Sequence, residues 1–537
     1  MAEINDYEVS TPVCVPNLLE LIKGYSDYDF ISNGFTNGFK LGLKSNPHLV
    51  ASKREKRSRN PKILSDKLQA EVSHGRIIGP FKTQPIRGMM VSPMYCIPKP
   101  GSNKWRMIFD LSSPHGSSVN DNIPDSHRSV SYCDIKSVVK HILSTENNSA
   151  YFAKLDLSDA YRMVPMAKSE WKYLGMKVGD NYYVDCRLPM GASSSCQVFQ
   201  RISDMLRWLF TSIQDDQCRI FNYLDDFLVV ARDGDSCNRV LDRILAICNH
   251  VGVPVAPHKT ERASESIVFL GIGICSNSQS LFIPSQKSES VLESIDSFLK
   301  RRNPQVKQWQ SLLGKLCHLS QVVVAGRAYL SSLYGSLKGI LSSEQLLHRR
   351  ISPEMHKDLL VWRDFLQDSG KGKRFSYIVG GDAEHTIVSD ASTTIGYGAY
   401  MGKEWFDGVW PDNFWRSLNI AVLELYPIFV ALSYWQDILR NSTVKICTDS
   451  NALVPVINKL YCRDPEIRRL LRPIALICMS HKILLIASHV KGIKNIGADL
   501  LSRNGRAKFI REFSGMEPQP VEIPAALRPM AVRARYW

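Results

Sequence analysis

No apolar run in this sequence approaches the roughly 18 residues that a membrane-spanning helix needs, so no membrane partner is expected. The amino terminus, Met-Ala-Glu-Ile-Asn-Asp-Tyr, is acidic and polar and lacks the basic and apolar segments of a secretory signal. Thirteen cysteines occur without a single Cys-x-x-Cys pair, which excludes ribbon-type zinc sites and argues against a disulfide framework. Cys248 and Cys317 sit in apolar stretches where a buried free thiol is the ordinary arrangement, and a reducing compartment is expected. Acidic charge is also short: 52 Asp and Glu stand against 67 Lys and Arg, a formal net charge of +15. Such an excess points to a polyanionic partner, nucleic acid in preference to an anionic membrane face. The protein is expected inside the cell, in the cytoplasm and/or nucleus.

At 537 residues the chain is too long for one core. Residues 1–60 show no sustained periodicity and end in a basic run, Lys53-Arg54-Glu55-Lys56-Arg57-Ser58-Arg59. That run reads as a nuclear import signal, a phosphate-contacting arm or a solvated linker. A helix is expected over 61–75 with Leu64, Leu68 and Val72 on one face, then alternating strand and helix patterns to 285. Residues 286–345 carry Trp309, Leu312, Leu313, Leu316 and Leu319 at helical spacing among basic residues, as a basic helical subdomain would. A linker falls within 346–383. Its Asp368-Ser369-Gly370 lacks the apolar flanks of an aspartic protease loop, and that reading is rejected. A second α/β unit is expected over 384–504, and an extended tail over 505–537.

Two anomalies carry the chemistry of the first half. In Phe221-Asn222-Tyr223-Leu224-Asp225-Asp226-Phe227-Leu228-Val229-Val230, adjacent carboxylates interrupt an apolar, strand-forming run. Burying such charge costs several kcal/mol, of the order of 3–5, unless something pairs with it. A tight hairpin would lift Asp225 and Asp226 to its tip. Upstream, Ala153-Lys154-Leu155-Asp156-Leu157-Ser158-Asp159-Ala160-Tyr161 holds Asp156 at the end of another apolar strand. Three carboxylates from adjacent strands suit hard, oxygen-preferring Mg²⁺, with Mn²⁺ as an alternative. Two such ions can activate a primer 3′-hydroxyl and stabilise leaving pyrophosphate.

Tyr223-Leu224-Asp225-Asp226, preceded by Leu155-Asp156-Leu157 and Leu188-Pro189-Met190-Gly191-Ala192-Ser193, resembles the reverse transcriptases of LTR-type elements and retroviruses. The resemblance implies that Asp156, Asp225 and Asp226 hold the catalytic metals, with Leu157 included in the metal set. Tyr161 matches the steric gate that excludes a ribose 2′-hydroxyl. Lys99 and Arg106, in Pro98-Lys99-Pro100-Gly101-Ser102-Asn103-Lys104-Trp105-Arg106, match the clamp on the triphosphate, which suits a point charge and a forked donor. Met190 and Gly191 match the loop beneath the incoming nucleotide. Retroviruses have Gln at the position of Met190, so a side-chain hydrogen bond is lost there and Met190 is expected only to pack. Lys259 aligns with a lysine proposed as general acid, and Phe269-Leu270-Gly271-Ile272 resembles the primer-gripping strand.

Downstream, Asp390 and Asp449 each follow an apolar strand, Glu424 lies within an amphipathic helix beside Leu425 and Ile428, and Asp499 lies in a terminal helix near 496–502. One carboxylate per element is what a two-metal nuclease requires. The order resembles ribonuclease H, which cleaves RNA paired with DNA; His489 matches that family's mobile histidine. Finer phrases, among them Gly116-Ser117-Ser118-Val119-Asn120-Asp121 and Asn495-Ile496-Gly497-Ala498-Asp499-Leu500-Leu501-Ser502-Arg503, resemble DIRS-type retrotransposon polymerases over about 60–504. The implied architecture is α+β and multidomain: a right-hand polymerase with fingers and palm over 61–285, a helical thumb over 286–345, a connection over 346–383, then an α/β ribonuclease H-like domain. Its partners would be an RNA template, a DNA primer or RNA–DNA hybrid, and deoxynucleoside triphosphates. A tyrosine recombinase and a capsid-like protein of the same element are further candidates. The rivals are a catalytically silent nucleic-acid-binding descendant, a hydrolase alone, and a gypsy-type or pararetroviral polymerase.

Overall fold

The computed structural model describes residues 4–51, 60–99, 103–145, 149–212, 218–301, 303–340, 347–367, 372–375, 382–411 and 418–537. The basic run at 53–59, the hairpin tip at 100–102 and Asp368-Ser369-Gly370-Lys371 lie outside them. The chain forms two units, Met1–Leu270 and Gly271–Trp537. After that boundary the strands Ile272–Cys275 and Ser280–Phe282 pair antiparallel, and the second of them pairs with a strand at Lys373–Arg374.

The first unit runs α1 (Val15–Leu21), α2 (Tyr28–Asn37), α3 (Pro61–Ser73), β1 (Ile77–Phe81), β2 (Val91–Ser92), β3 (Met94–Pro98), β4 (Trp105–Phe109), α4 (Ile135–Ser144), β5 (Tyr151–Asp156), β6 (Gly175–Val178), β7 (Asn181–Asp185), α5 (Ser195–Thr211), β8 (Cys218–Tyr223), β9 (Asp226–Ala231), α6 (Gly234–His250), β10 (Glu261–Ser264) and β11 (Ser266–Phe269). Its central antiparallel sheet has the order β10-β5-β9-β8; a second has the order β1-β7-β6-β2, and β3 and β4 form a separate hairpin. Apolar β9 is buried from Phe227 to Ala231, since strands flank both its edges and α6 packs against it. Helix α3 starts as its sequence dictates: the Asn60 side chain caps the Ile63 N–H at 3.2 Å and Pro61 occupies the first turn. The amino-terminal segment is not structureless. Leu18, Ile22, Ile31, Phe35 and Phe39 are buried in the unit's core, although their spacing spreads over two short helices and the loops after them.

The second unit runs β12 (Ile272–Cys275), β13 (Ser280–Phe282), α7 (Ser285–Lys300), α8 (Val306–Leu319), α9 (Ser331–Gly335), α10 (Pro353–Gln367), β14 (Lys373–Arg374), β15 (His385–Ala391), β16 (Gly396–Met401), β17 (Glu404–Val409), α11 (Ile420–Tyr434), β18 (Thr443–Thr448), α12 (Leu453–Lys459), α13 (Pro465–His481), β19 (Leu484–His489), α14 (Ile496–Ser502), α15 (Arg506–Glu512) and α16 (Pro529–Tyr536). The helical spacing expected after 285 is α7 and α8, with Trp309, Leu312, Leu313, Leu316 and Leu319 buried. Cys317 is exposed, since it lies on the opposite face of α8, whereas Cys248 is buried. A five-stranded sheet follows in the order β17-β16-β15-β18-β19, with β15, β18 and β19 parallel.

The tail expected to be extended instead forms α15 and α16 and packs. Phe509 and Val532 are buried, the Trp405 indole N–H donates to the Glu517 carbonyl at 2.7 Å, and the Tyr426 hydroxyl donates to the Leu527 carbonyl at 2.6 Å. This cover explains α11, which is apolar on every side and buried almost throughout. Its proline and arginine content does not keep the tail extended, because a few well-spaced aromatic anchors suffice to dock a short segment.

Candidate active sites

In the first unit, Asp156 ends β5 and stands directly across from Asp226, the first residue of β9. Leu224 and Asp225 form the two-residue turn between Tyr223 and Asp226. Leu224 takes a left-handed conformation, φ 53°, which costs about 1–2 kcal/mol in a residue with a side chain. Helix α5 holds it there. The Gln200 side-chain carbonyl accepts from the Leu224 N–H at 3.1 Å, and the Ser203 hydroxyl donates to the Leu224 carbonyl at 2.5 Å. Asn222 completes the grip with donations to Ser203 at 2.9 Å and Asp204 at 3.0 Å.

The Lys259 ammonium donates to Asp156 Oδ1 at 2.6 Å, and that bond raises the lysine's pKa. Burial raises the Asp225 pKa, with the Asp156 charge adding to it. Asp226 is pushed up to about 7 by burial, a hydrogen bond shared with Asp156, and the charges of Asp225 and Asp156. Asp225 and Asp226 therefore bind a proton more readily than isolated carboxyls do. Among the described residues no three His, Cys, Asp or Glu side chains are drawn close enough to hold a metal ion as they stand. Like charges in a half-buried site repel, and Lys259 draws Asp156 toward itself.

Around the carboxylates, Gly191 packs so closely that an added Cβ would lie 2.1 Å from the Phe109 carbonyl oxygen. Its own carbonyl accepts from Asn120 Nδ2 at 2.9 Å. Met190 is 72 % exposed. Lys99 follows β3 and Arg106 lies in β4, both exposed on that hairpin. Tyr161 is half-buried, stacked on Phe199 with ring centroids 4.9 Å apart. Leu157 is buried, and its N–H donates to the Asp225 carbonyl at 3.1 Å.

In the second unit, Asp390 lies near the end of β15, Asp449 follows β18, Glu424 is the one charged residue of α11, and Asp499 lies in α14. They act on one another electrically. Burial raises Asp390 to about 6, with the Asp449 and Asp499 charges adding and the Ser502 hydrogen bond opposing. Burial likewise raises Glu424, with Asp449 and Asp390 adding and Ser450 opposing. Two residues at the end of α14, Ser502 and the Arg503 that follows it, hold this set. The Ser502 hydroxyl, fully buried, donates to Asp390 Oδ2 at 2.5 Å, and Arg503 Nε donates to Asp499 Oδ1 at 2.7 Å. His489 ends β19, exposed, paired in register with Thr448 beside Asp449.

The family described as reverse transcriptase (RNA-dependent DNA polymerase) matches residues 97–274, which include Asp156, Asp225 and Asp226. The chain carries a reverse transcriptase domain. It is of the LTR-retrotransposon and retroviral Pol type. The Pol polyprotein of the gypsy transposon of Drosophila melanogaster is 24% identical over 194 residues, 35% of this chain and 17% of that protein. The Gag-Pro-Pol polyprotein of human T-cell leukemia virus 2 is 22% identical over 301 residues, 54% of this chain and 18% of that protein. The Tf2-3 polyprotein of Schizosaccharomyces pombe is 22% identical over 485 residues, 87% of this chain and 33% of that protein. The chain thus spans a third or less of these relatives' length. A foamy viral protease–reverse transcriptase solved with double-stranded DNA has a TM-score of 0.49 and 17% identity, over 91% of this chain and 84% of that one.

Within the reverse transcriptase domain, the catalytic-type acids were visible in the sequence but their supports were not. Gln200 and Ser203 sit a helical turn apart in α5, a spacing that matters only once the hairpin is laid against them. Asn120 clamps the Gly191 turn, its Oδ1 accepting from the Ser193 N–H at 2.8 Å. The second acidic set lies beyond the matched residues.

Proposed function

We propose that this chain copies RNA and DNA templates into DNA in its first unit and hydrolyses the RNA strand of RNA–DNA hybrids in its second, in the replication of a retrotransposon. What carries the reading is that each unit gathers buried acids whose proton affinities are raised by burial and by one another's charge. Such groups are stable as anions only beside a cation, and carboxylate oxygens are the donors that Mg²⁺ or Mn²⁺ prefers. Asp156, Asp225 and Asp226, with Leu157, would hold a pair of ions in the polymerase site; Asp390, Glu424, Asp449 and Asp499 would hold another in the nuclease site. Bound there, the ions would supply positive charge for a developing oxyanion and lower the pKa of an attacking hydroxyl or water.

The remaining steps belong to the protein's own groups. Lys99 and Arg106 hold the triphosphate, and Gly191 and Met190 form the floor beneath the nucleotide. Tyr161 excludes a ribose 2′-hydroxyl. Lys259, kept protonated by Asp156, gives a proton to the leaving pyrophosphate, and His489 assists product release. The right-hand arrangement of fingers, palm and thumb belongs to the same reading. So do the DIRS-type assignment, which rests on sequence phrases, the recombinase and capsid-like partners, and work in the cytoplasm and/or nucleus.

Primer extension on an RNA template with Mg²⁺ tests it. Incorporation by the wild type should fall at least a hundredfold in Asp225→Asn, while Asp449→Asn should lose hybrid cleavage and keep DNA synthesis. No incorporation by the wild type, or full incorporation by Asp225→Asn, would leave a silent nucleic-acid-binding protein or a hydrolase in its place.

A further inference from the structure

Behind Tyr161, side chains from separate elements meet at one thiol. Cys196, in the first turn of α5, accepts the Tyr161 hydroxyl hydrogen at 3.4 Å, an ordinary distance for sulfur. The same sulfur acts on the hydroxyl of Tyr132, in the segment before α4, and adds to burial in raising its pKa. The Tyr132 ring in turn lies against Tyr223, with centroids 4.5 Å apart and planes inclined by 31°. Tyr223 is the residue paired with Asp226 in the acidic hairpin.

The stack of Tyr161 on Phe199, inclined by only 17°, fixes the plane of the ring. Stacking is soft to sliding within that plane. The O–H···S bond removes this freedom by pinning the ring's tip to a rigid helix. Burial and the shared sulfur push the Tyr132 hydroxyl up to about 12 and the Tyr161 hydroxyl higher still, so both remain donors at working pH. A ring that must exclude a single 2′-hydroxyl works by position to a fraction of an ångström, and such position needs support beyond the ring itself.

Resting on the reading of Tyr161 as the gate, we propose that Cys196 is a positioning residue that sets selectivity for deoxynucleotides by anchoring Tyr161 and tying it through Tyr132 to the acidic hairpin. The test is single-nucleotide incorporation by the full chain on a primer–template, comparing kcat/KM for a deoxynucleotide and its ribonucleotide. Cys196→Ala should lower the discrimination about five- to tenfold, the loss of one hydrogen bond, mainly through a lower KM for the ribonucleotide. Cys196→Ser, which keeps an acceptor, should restore most of it. Should Cys196→Ala fail to fold, Cys196→Val fills the space, accepts nothing, and carries the same expectation. If Tyr161→Ala relaxes discrimination while Cys196→Ala and Cys196→Val match the wild type, the anchor is overturned and the gate stands. If Tyr161→Ala keeps full discrimination, the gate reading falls, and no wild-type incorporation would remove the polymerase reading beneath both.

Discussion

The chemistry assigned to single residues depends on neighbours that bear no chemistry themselves. Ser502 is the clearest case: a buried hydroxyl that bonds Asp390 and the Asp499 carbonyl, and so ties one acid of the set to the helix that carries another. Groups that orient a metal-binding carboxylate matter nearly as much as the ligand, typically about 10–100-fold in metal affinity or activity. Ser502→Ala should therefore weaken hybrid hydrolysis by about 10–100-fold and leave DNA synthesis intact, as measured on one preparation with both substrates. Asp226 supports a pH prediction for chelator-treated protein. Its pKa is about 7 in the fold, against about 3.9 for an unfolded aspartate. A raised folded pKa means that the folded state holds the extra proton. Its contribution to stability is fully present below about pH 4 and is lost as pH rises through about 7. Urea unfolding from pH 4 to 8 should show wild type losing stability relative to Asp226→Asn across that window. A flat difference would mean that the carboxyls share no proton.

At the scale of elements, the hairpin between β8 and β9 is held in a conformation its own sequence disfavours. Ser203 bonds both the Leu224 carbonyl and the Asn222 side chain, so Ser203→Ala leaves two partners wanting in a half-buried site. Thermal unfolding should show a loss of about 1–3 kcal/mol, with nucleotide incorporation falling further because Asp225 follows Leu224 directly. An unchanged Tm would show that the turn needs no such support. The same hairpin shows what the sequence could reveal. Its strands and its acids were legible because apolar runs interrupted by charge have few stable solutions. Asp390, Glu424, Asp449 and Asp499 were legible for the same reason, each being a charge against an apolar element. The supports were not, since Gln200, Ser203 and Ser502 are ordinary helix polar residues until a partner from a distant segment meets them. Strand β17 and helices α12 and α13 leave little mark in the sequence, because their patterns are short or interrupted, as by Pro473 within α13.

At the scale of the whole molecule, each unit closes around its own core, and the carboxyl-terminal segment belongs to the second one. Phe509 joins Trp405 and Leu501 in a buried cluster, with Tyr400 and Phe513 packed against it. Leu501 also neighbours Ser502, so this cluster seats the helix that carries Ser502, Arg503 and Asp499. The far end of the segment is fixed independently: the Tyr536 ring meets Phe429 with centroids 5.8 Å apart, and the Trp537 indole N–H donates to Glu466. Removing a buried aromatic of this kind typically costs about 3–5 kcal/mol. Phe509→Ala should lower the stability of the second unit by about that amount, and truncation after Asn504 should cost more. Because Asp156, Asp225 and Asp226 reside in a unit with a separate core, DNA synthesis, if it is theirs as proposed, should survive changes that abolish hybrid cleavage. Parallel assays of the two activities on the truncated chain decide the matter. Loss of both together would mean that the tail supports the first unit as well, and retention of both would mean that α14 keeps its place without it.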